Sequence, residues 1–237
     1  MSNSKLIVAL DVPNLKEGET WVDLLRSRIN IFKVGSTLFT ATGPNVVEMI
    51  HKKGGEVFLD LKFHDIPNTV AEACRIATRL GVLMLNLHIV GGEKVLRETI
   101  FAVTEEASQK KLRKPLLLGV TLLTHLDKLT LSDLGWDLPG EVVEEVTHLA
   151  KIGKSAGLDG VVCSPQEIRS VREACGREFI IVTPGIRPVG SLLHDQKRVS
   201  SPKEAVLAGA DYLVVGRPIL ESKDPLQMVA SILEEIQ

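Results

Sequence analysis

The sequence predicts a single (β/α)8 TIM barrel, and three observations carry that prediction. Eight short aliphatic runs recur from one end of the chain to the other. Amphipathic, helix-like stretches separate them, the alternation expected of parallel strands joined by crossover helices. The 237 residues also lie close to the roughly 250 typical of one such barrel. An open doubly wound sheet fits less well, since it usually holds about five or six strands.

In chain order, the first run is Leu6–Asp11, followed by a helical pattern over Leu15–Arg28. Ile31–Gly35 precedes Asn45–Lys53, which stops at Gly54-Gly55, and Val57–Lys62 precedes Ala71–Leu80, which stops at Gly81. Leu83–Ile89 leads to Glu93–Ser108, and Leu116–Leu122 leads through a long connection, Thr124–Pro139, to Glu141–Ala156 and Gly157. Gly160–Ser164 is followed by Gln166–Ala174 and Gly176. Phe179–Pro184 opens a second long connection, Gly185–Pro202, before Lys203–Ala208 and Gly209. Tyr212–Arg217 and the helical Pro225–Glu235 complete the pattern. Glycine just past a helix takes the left-handed conformation without strain, so these glycines read as helix stops. Both long connections follow strands, which places them on the face where barrels keep their binding loops. No low-complexity segment or linker interrupts the chain, so residues 1–237 read as one domain.

Composition narrows the class further. The chain is 44% apolar but only 4% aromatic, so its core must be filled by aliphatic side chains, as in strands covered on both faces. A net charge of −2 marks no nucleic-acid surface. No apolar run approaches the roughly 20 residues of a membrane span. Cys74, Cys163 and Cys175 are odd in number and lack metal-like spacing. They read as reduced thiols packed as small hydrophobes, and with no export signal in view they point to the cytoplasm.

Nearly every predicted strand ends in a residue capable of chemistry: Asp11, Lys33, Asp60 and Lys62, Asn86 and His88, Thr121 and Thr124, Ser164, Thr183, and Arg217. Catalytic groups in this fold come from the C-terminal ends of several strands. For Asn86, His88 and Ser164 the plainer reading is an ordinary polar strand end satisfied by nearby backbone. The segment Phe58-Leu59-Asp60-Leu61-Lys62-Phe63-His64-Asp65 is sharper. Residues two apart on a strand share a side, so Asp60 and Lys62 project together while Leu59 and Leu61 face the helices. Charges on an inward face are costly unless paired. Lys33 from the neighbouring strand and Asp65 complete an expected array of two cations and two anions, with a structural ion-pair plug as the plainer alternative.

A second cluster points to phosphate. Thr183-Pro184-Gly185-Ile186-Arg187-Pro188 ends the seventh strand and Gly216-Arg217-Pro218 the eighth. Loops after these strands commonly bind phosphate, the glycines admitting backbone N–H groups and the arginines offering forked donors. The polar stretch Gly190–Arg198 could fold over a ligand, bringing His194 or Gln196 within reach.

The run Asp60-Leu61-Lys62-Phe63-His64-Asp65-Ile66-Pro67-Asn68-Thr69 resembles the signature of the orotidine 5′-phosphate decarboxylases. The resemblance extends through Val8-Ala9-Leu10-Asp11, Phe32-Lys33-Val34-Gly35 and Gly119-Val120-Thr121-Leu122-Leu123-Thr124. It continues in Val182-Thr183-Pro184-Gly185-Ile186-Arg187-Pro188, Asp195-Gln196-Lys197-Arg198 and Asp211-Tyr212-Leu213-Val214-Val215-Gly216-Arg217-Pro218-Ile219. It implies decarboxylation of orotidine 5′-monophosphate to UMP without metal or cofactor. Lys62 would protonate C6, Asp60 would face the substrate carboxylate, Lys33 would hold the ribose and the array, and Asp11 would bind a ribose hydroxyl. Thr124 would touch the pyrimidine, with Pro184, Arg187, Gln196, Gly216 and Arg217 about the phosphate. It further implies a homodimer in which Asp65 and Thr69 act across the interface. The nearest rival is a metal-dependent enzyme of sugar phosphates that shares D-x-K-x-x-D. Such enzymes need a carboxylate beside the first Asp, where this chain has Lys33, a repellent neighbour for a divalent ion. A catalytically silent, nucleotide-sensing barrel is the remaining alternative from another class.

Overall fold

The computed structural model describes residues 5–188 and 199–236. Among them, eight parallel strands close into a barrel in sequence order: β1 (Leu6–Ala9), β2 (Ile31–Gly35), β3 (Glu56–Phe63), β4 (Met84–His88), β5 (Leu116–Val120), β6 (Gly160–Val162), β7 (Ile180–Thr183) and β8 (Tyr212–Val215). β8 pairs back to β1 through Leu6↔Leu213 and Val8↔Val215, which leaves no open sheet edge. This is the (β/α)8 architecture expected from the alternation.

The helices are α1 (Leu15–Leu25), α2 (Ser36–Thr42), α3 (Asn45–Lys52), α4 (Pro67–Arg79), α5 (Glu93–Lys110), α6 (Lys128–Asp133), α7 (Val142–Ala156), α8 (Ile168–Cys175), α9 (Pro202–Ala208), α10 (Arg217–Leu220) and α11 (Pro225–Glu235). Three of them, α2, α6 and α10, are absent from the sequence pattern because each is under two turns or follows its strand without a break. α4 starts at Pro67, before the expected Ala71, since proline is preorganised for a helix's first turn. α10 begins at Arg217, so that residue opens a helix rather than ending β8.

Strand alternation sorts the apolar side chains into two cores. Ile7, Ala9, Ile31, Phe58, Met84, Leu118, Val182 and Val214 fill the barrel interior. Their neighbours, such as Leu6, Val8, Phe32, Leu59 and Leu85, pack outward against the helices. Climbing β1 to β4 toward their C-terminal ends, inward positions pass from apolar to polar: Ile7, Ala9, then Asp11; Ile31, then Lys33; Phe58, then Asp60; Met84, then Asn86. The polar layer thus rests on a packed apolar floor. Cys74, Cys163 and Cys175 are buried and form no disulfide with one another, as expected of small core hydrophobes, and burial pushes the Cys74 thiol up to about 12. No helix among the described residues is long and apolar enough to cross a membrane.

Candidate active site

The polar layer opens into a cavity of about 230 Å³ at the C-terminal end of the strands. Asp11, Lys33, Asp60, Lys62, Thr124, Pro184, Arg187, Gly216 and Arg217 all line it. Nine of the residues expected from sequence therefore converge from six strands. Its walls also include Ala9, Phe58, Val120, Leu122, Leu123, Val162 and Val214, an apolar side that strand-end polar residues do not reveal. The sequence signal was available, since several are the last inward aliphatic positions of their strands.

The charges alternate in space. Asp11 Oδ1 lies 3.1 Å from Lys33 Nζ, Lys33 Nζ lies 3.4 Å from Asp60 Oδ2, and Asp60 Oδ1 lies 2.7 Å from Lys62 Nζ. Lys33 and Asp60 are buried, while the Lys62 and Asp11 side chains reach the cavity at 36% and 53% exposure. Burial works to lower the Lys33 pKa, but the charges of Asp60 and then Asp11, with hydrogen bonds to both, outweigh it and hold the ammonium above its ordinary value. Burial likewise works to raise Asp60. The charges of Lys33 and Lys62 and hydrogen bonds from Lys62 and Asn86 reverse that effect and keep the carboxyl below its usual range. Lys33 and Asp60 therefore stay ionised because each is the other's counter-ion.

Within one chain the anion on the far side of Lys33 is Asp11, and Asp65 stands apart from the array. Asp65 is exposed, and its carboxylate accepts the backbone N–H of Ile66 at 2.6 Å. Thr69 is exposed in the first turns of α4, and neither residue lines the cavity. Gln196 and His194 lie outside the described residues, as does the stretch 190–198.

Two residues carry more than the sequence indicated. Asn86, read above as an ordinary polar strand end, is wholly buried and donates to Asp60 Oδ1 at 2.6 Å. Its carbonyl accepts the Lys62 backbone N–H at 2.8 Å. Gly35 stands where a Cβ would lie 2.9 Å from Lys33 Nζ and 3.3 Å from Asp11 Oδ1, so its bareness makes room for that ion pair. Asn86 shares the side of β4 that carries inward Met84, and packing shows what it bonds. His88 sits beside the array, edge-on to His64 with ring centroids 5.1 Å apart.

The phosphate-like corner is built by the last two strands. Gly185 has φ +79°, a conformation open to glycine. Two residues on, the Arg187 N–H donates to Ser200 O at 2.9 Å, which clips the stems of the long connection together and sets Arg187 at the cavity. At Gly216 a Cβ would lie 3.2 Å from Ala9 Cβ, tight enough to press on β1, and 3.6 Å from Asp11 Oδ2, an ordinary contact.

The chain is similar to known proteins over nearly its whole length. Residues 4–232 match the orotidine 5′-phosphate decarboxylase / HUMPS family. The orotidine 5′-phosphate decarboxylase of Trichlorobacter lovleyi is 50% identical over 235 residues, covering 99% of this chain and 96% of that protein. That of Moorella thermoacetica is 52% identical over 237 residues, covering 100% and 93%. Among solved structures, the orotidine 5′-phosphate decarboxylase of Lactobacillus acidophilus superposes with a TM-score of 0.80 at 33% identity, covering 98% of each chain. An uncharacterized conserved protein from Geobacillus kaustophilus superposes with a TM-score of 0.85 at 34% identity, covering 98% of this chain and 100% of its own.

Proposed function

The chain belongs to the orotidine 5′-phosphate decarboxylase / HUMPS family, and from that premise we propose that it converts orotidine 5′-monophosphate to UMP and CO2. The observation that carries the proposal is one cavity holding both the alternating Asp11–Lys33–Asp60–Lys62 array and the Arg187–Gly216–Arg217 corner.

In the reaction the bond from C6 to the carboxylate breaks, CO2 departs, and the electron pair stays on C6. The Lys62 ammonium, 2.7 Å from Asp60, supplies the proton that C6 takes and recovers one from solvent afterwards. A fixed cation beside a developing carbanion is the preorganised electrostatic effect that is usually largest in enzymes. Asp60 faces the departing carboxylate and Lys33 fixes Asp60. Asp11 meets a ribose hydroxyl, Thr124 the pyrimidine, and Pro184, Arg187, Gln196, Gly216 and Arg217 the phosphate. Grip on the phosphate, remote from the bond that breaks, supplies binding energy for orienting the ring.

The same reading makes the enzyme a cofactor-independent homodimer of one-domain chains in the cytoplasm, with Asp65 and Thr69 serving the partner copy's cavity. Their exposure next to uncovered Ile66 supports it, as do uncovered Ile76 and Phe101 on the adjoining α4 and α5. Three buried cysteines that form no disulfide with one another are in keeping with a reducing compartment.

The test is incubation of the protein with orotidine 5′-monophosphate and EDTA, following the loss of ultraviolet absorbance, with Lys62→Ala alongside. Conversion to UMP that falls by about 10²-fold or more in the variant is expected. No conversion, together with Mg2+-dependent turnover of a sugar phosphate, would move the chain to the metal-dependent branch.

A further inference from the structure

Lys62 is held at φ +51°, one of two non-glycine residues with positive φ among those described. The other, Lys111 at +54°, caps the end of α5, where a left-handed residue is common. Lys62 lies inside a strand, where that conformation costs on the order of 1–2 kcal/mol. The pairing of β3 with β4 explains why it is needed. Register runs from Leu59↔Leu85 directly to Phe63↔Leu87, so Asp60, Leu61 and Lys62 stand opposite the single residue Asn86. The extra residues bulge, and a bulge strips ladder hydrogen bonds from the backbone it displaces.

Asn86 fills that gap with its side chain. Its carbonyl accepts the orphaned Lys62 N–H at 2.8 Å, and its amide donates to Asp60 Oδ1 at 2.6 Å. The same Asp60 oxygen receives the Lys62 ammonium at 2.7 Å. One fully buried amide thus grips the strained backbone of Lys62 and the carboxylate that aims its ammonium. An amide is the side chain of this size that offers an acceptor and a donor together without adding a charge.

We propose that Asn86 is a positioning residue for the decarboxylation: it latches Lys62 in its strained bulge and sets Asp60, without touching substrate. The proposal rests on the decarboxylase reading for its kinetic consequence, but its geometric consequence is independent of any substrate.

Two variants separate the bonds. Asn86→Leu keeps roughly the volume and deletes both. Asn86→Asp keeps the acceptor and, when ionised, loses the donor and sets a second carboxylate beside Asp60. For Asn86→Leu, kcat should fall about 100-fold, the scale expected when a reacting group is displaced by about 1 Å. KM and the affinity for UMP should stay within about threefold, because the phosphate corner is untouched. For Asn86→Asp, kcat should recover toward wild type as pH falls and the introduced carboxyl gains a proton it can donate to Asp60. Lys33, Lys62, His64, His88 and Asp60 are the other titratable groups around it, and wild-type enzyme run over the same pH range removes their contribution. A role confined to stability would lower the melting temperature and leave kcat of the folded fraction unchanged, and that result would overturn the proposal. A crystal structure of either variant gives the substrate-free readout: Lys62 leaving the left-handed region supports the latch, and φ retained near +51° in Asn86→Leu refutes it. Wild-type protein that fails to turn over orotidine 5′-monophosphate would refute the decarboxylase reading alone, with the latch still decided by that structure.

Discussion

The Lys62 ammonium lies 2.7 Å from Asp60 Oδ1, and this contact joins a side chain 36% exposed to one only 11% exposed. The buried carboxylate is held from its far side by Lys33, so Asp60 transmits the order of the interior to the residue that faces the cavity. Removing either neighbour leaves a buried charge without full compensation, which is more damaging than the net worth of the pair implies.

Asp60→Asn should therefore do more than delete one negative charge. It leaves Lys33 and Lys62 facing each other and removes the strongest influence that holds Lys33 above its ordinary pKa, leaving Asp11 alone to oppose burial. Steady-state assays should show kcat/KM down by about 10²–10³-fold, with the basic limb of the pH profile moved to lower pH. In the wild type the two groups set opposite edges of a stability window. The Asp60 contribution, from a depressed pKa, is present above about pH 4 and lost as pH falls through the folded value. The Lys33 contribution, from a raised pKa, is present below about pH 10 and lost as pH rises through the folded value.

His88 gives a separate signature in stability. Burial first, then the charges of His64 and Lys62, push its imidazole from 6.5 down to about 4, with Asp60 pulling the other way. Between those two pH values the unfolded chain binds the proton that the folded chain resists, so stability falls on acidification. Thermal melts of the wild type should decline from pH 6.5 to pH 4.5, and those of His88→Gln should decline less steeply. Parallel slopes for the two proteins would count against this assignment.

Gly35→Ala tests the room left for the array. The backbone at Gly35 has φ −95°, which any residue adopts, so only the space beside Lys33 Nζ is at issue. The methyl group should displace the ammonium from Asp11 or Asp60 and lower kcat/KM by roughly 10- to 100-fold. A melting temperature near that of the wild type would assign the loss to the site rather than to folding.

The proposed sharing of the cavity between two copies is tested by mixing. Lys62→Ala and Asp65→Ala proteins, each inactive alone, should recover activity when unfolded together and refolded. Random pairing makes half the dimers hybrid, each with one intact cavity, so activity should approach about a quarter of wild type. A mixture as inactive as its components would show that Asp65 acts in its own chain or not at all.

Much of this was legible in the sequence for reasons of period. Alternation places Ile7, Ala9 and Asp11 on one side of a strand whatever the rest of the chain does, and helix stops such as Gly157 are local. The inward sharing of Asp60 and Lys62 followed from the same rule and emerged correctly even though the strand bulges between them. α6 was not legible, because six residues inside a long connection show too little of a 3.6-residue period to stand out.

Sequence alone determined the barrel, from local period, and strand-end position together with the family resemblance named nine residues that line one cavity. Tertiary structure alone decided that Asp11, not Asp65, completes the array within a chain, that Lys62 is held at positive φ, and that Asn86 holds it there. Those outcomes depend on register between strands 22 or more residues apart in sequence, and register is set by how whole faces pack together, which no local window contains.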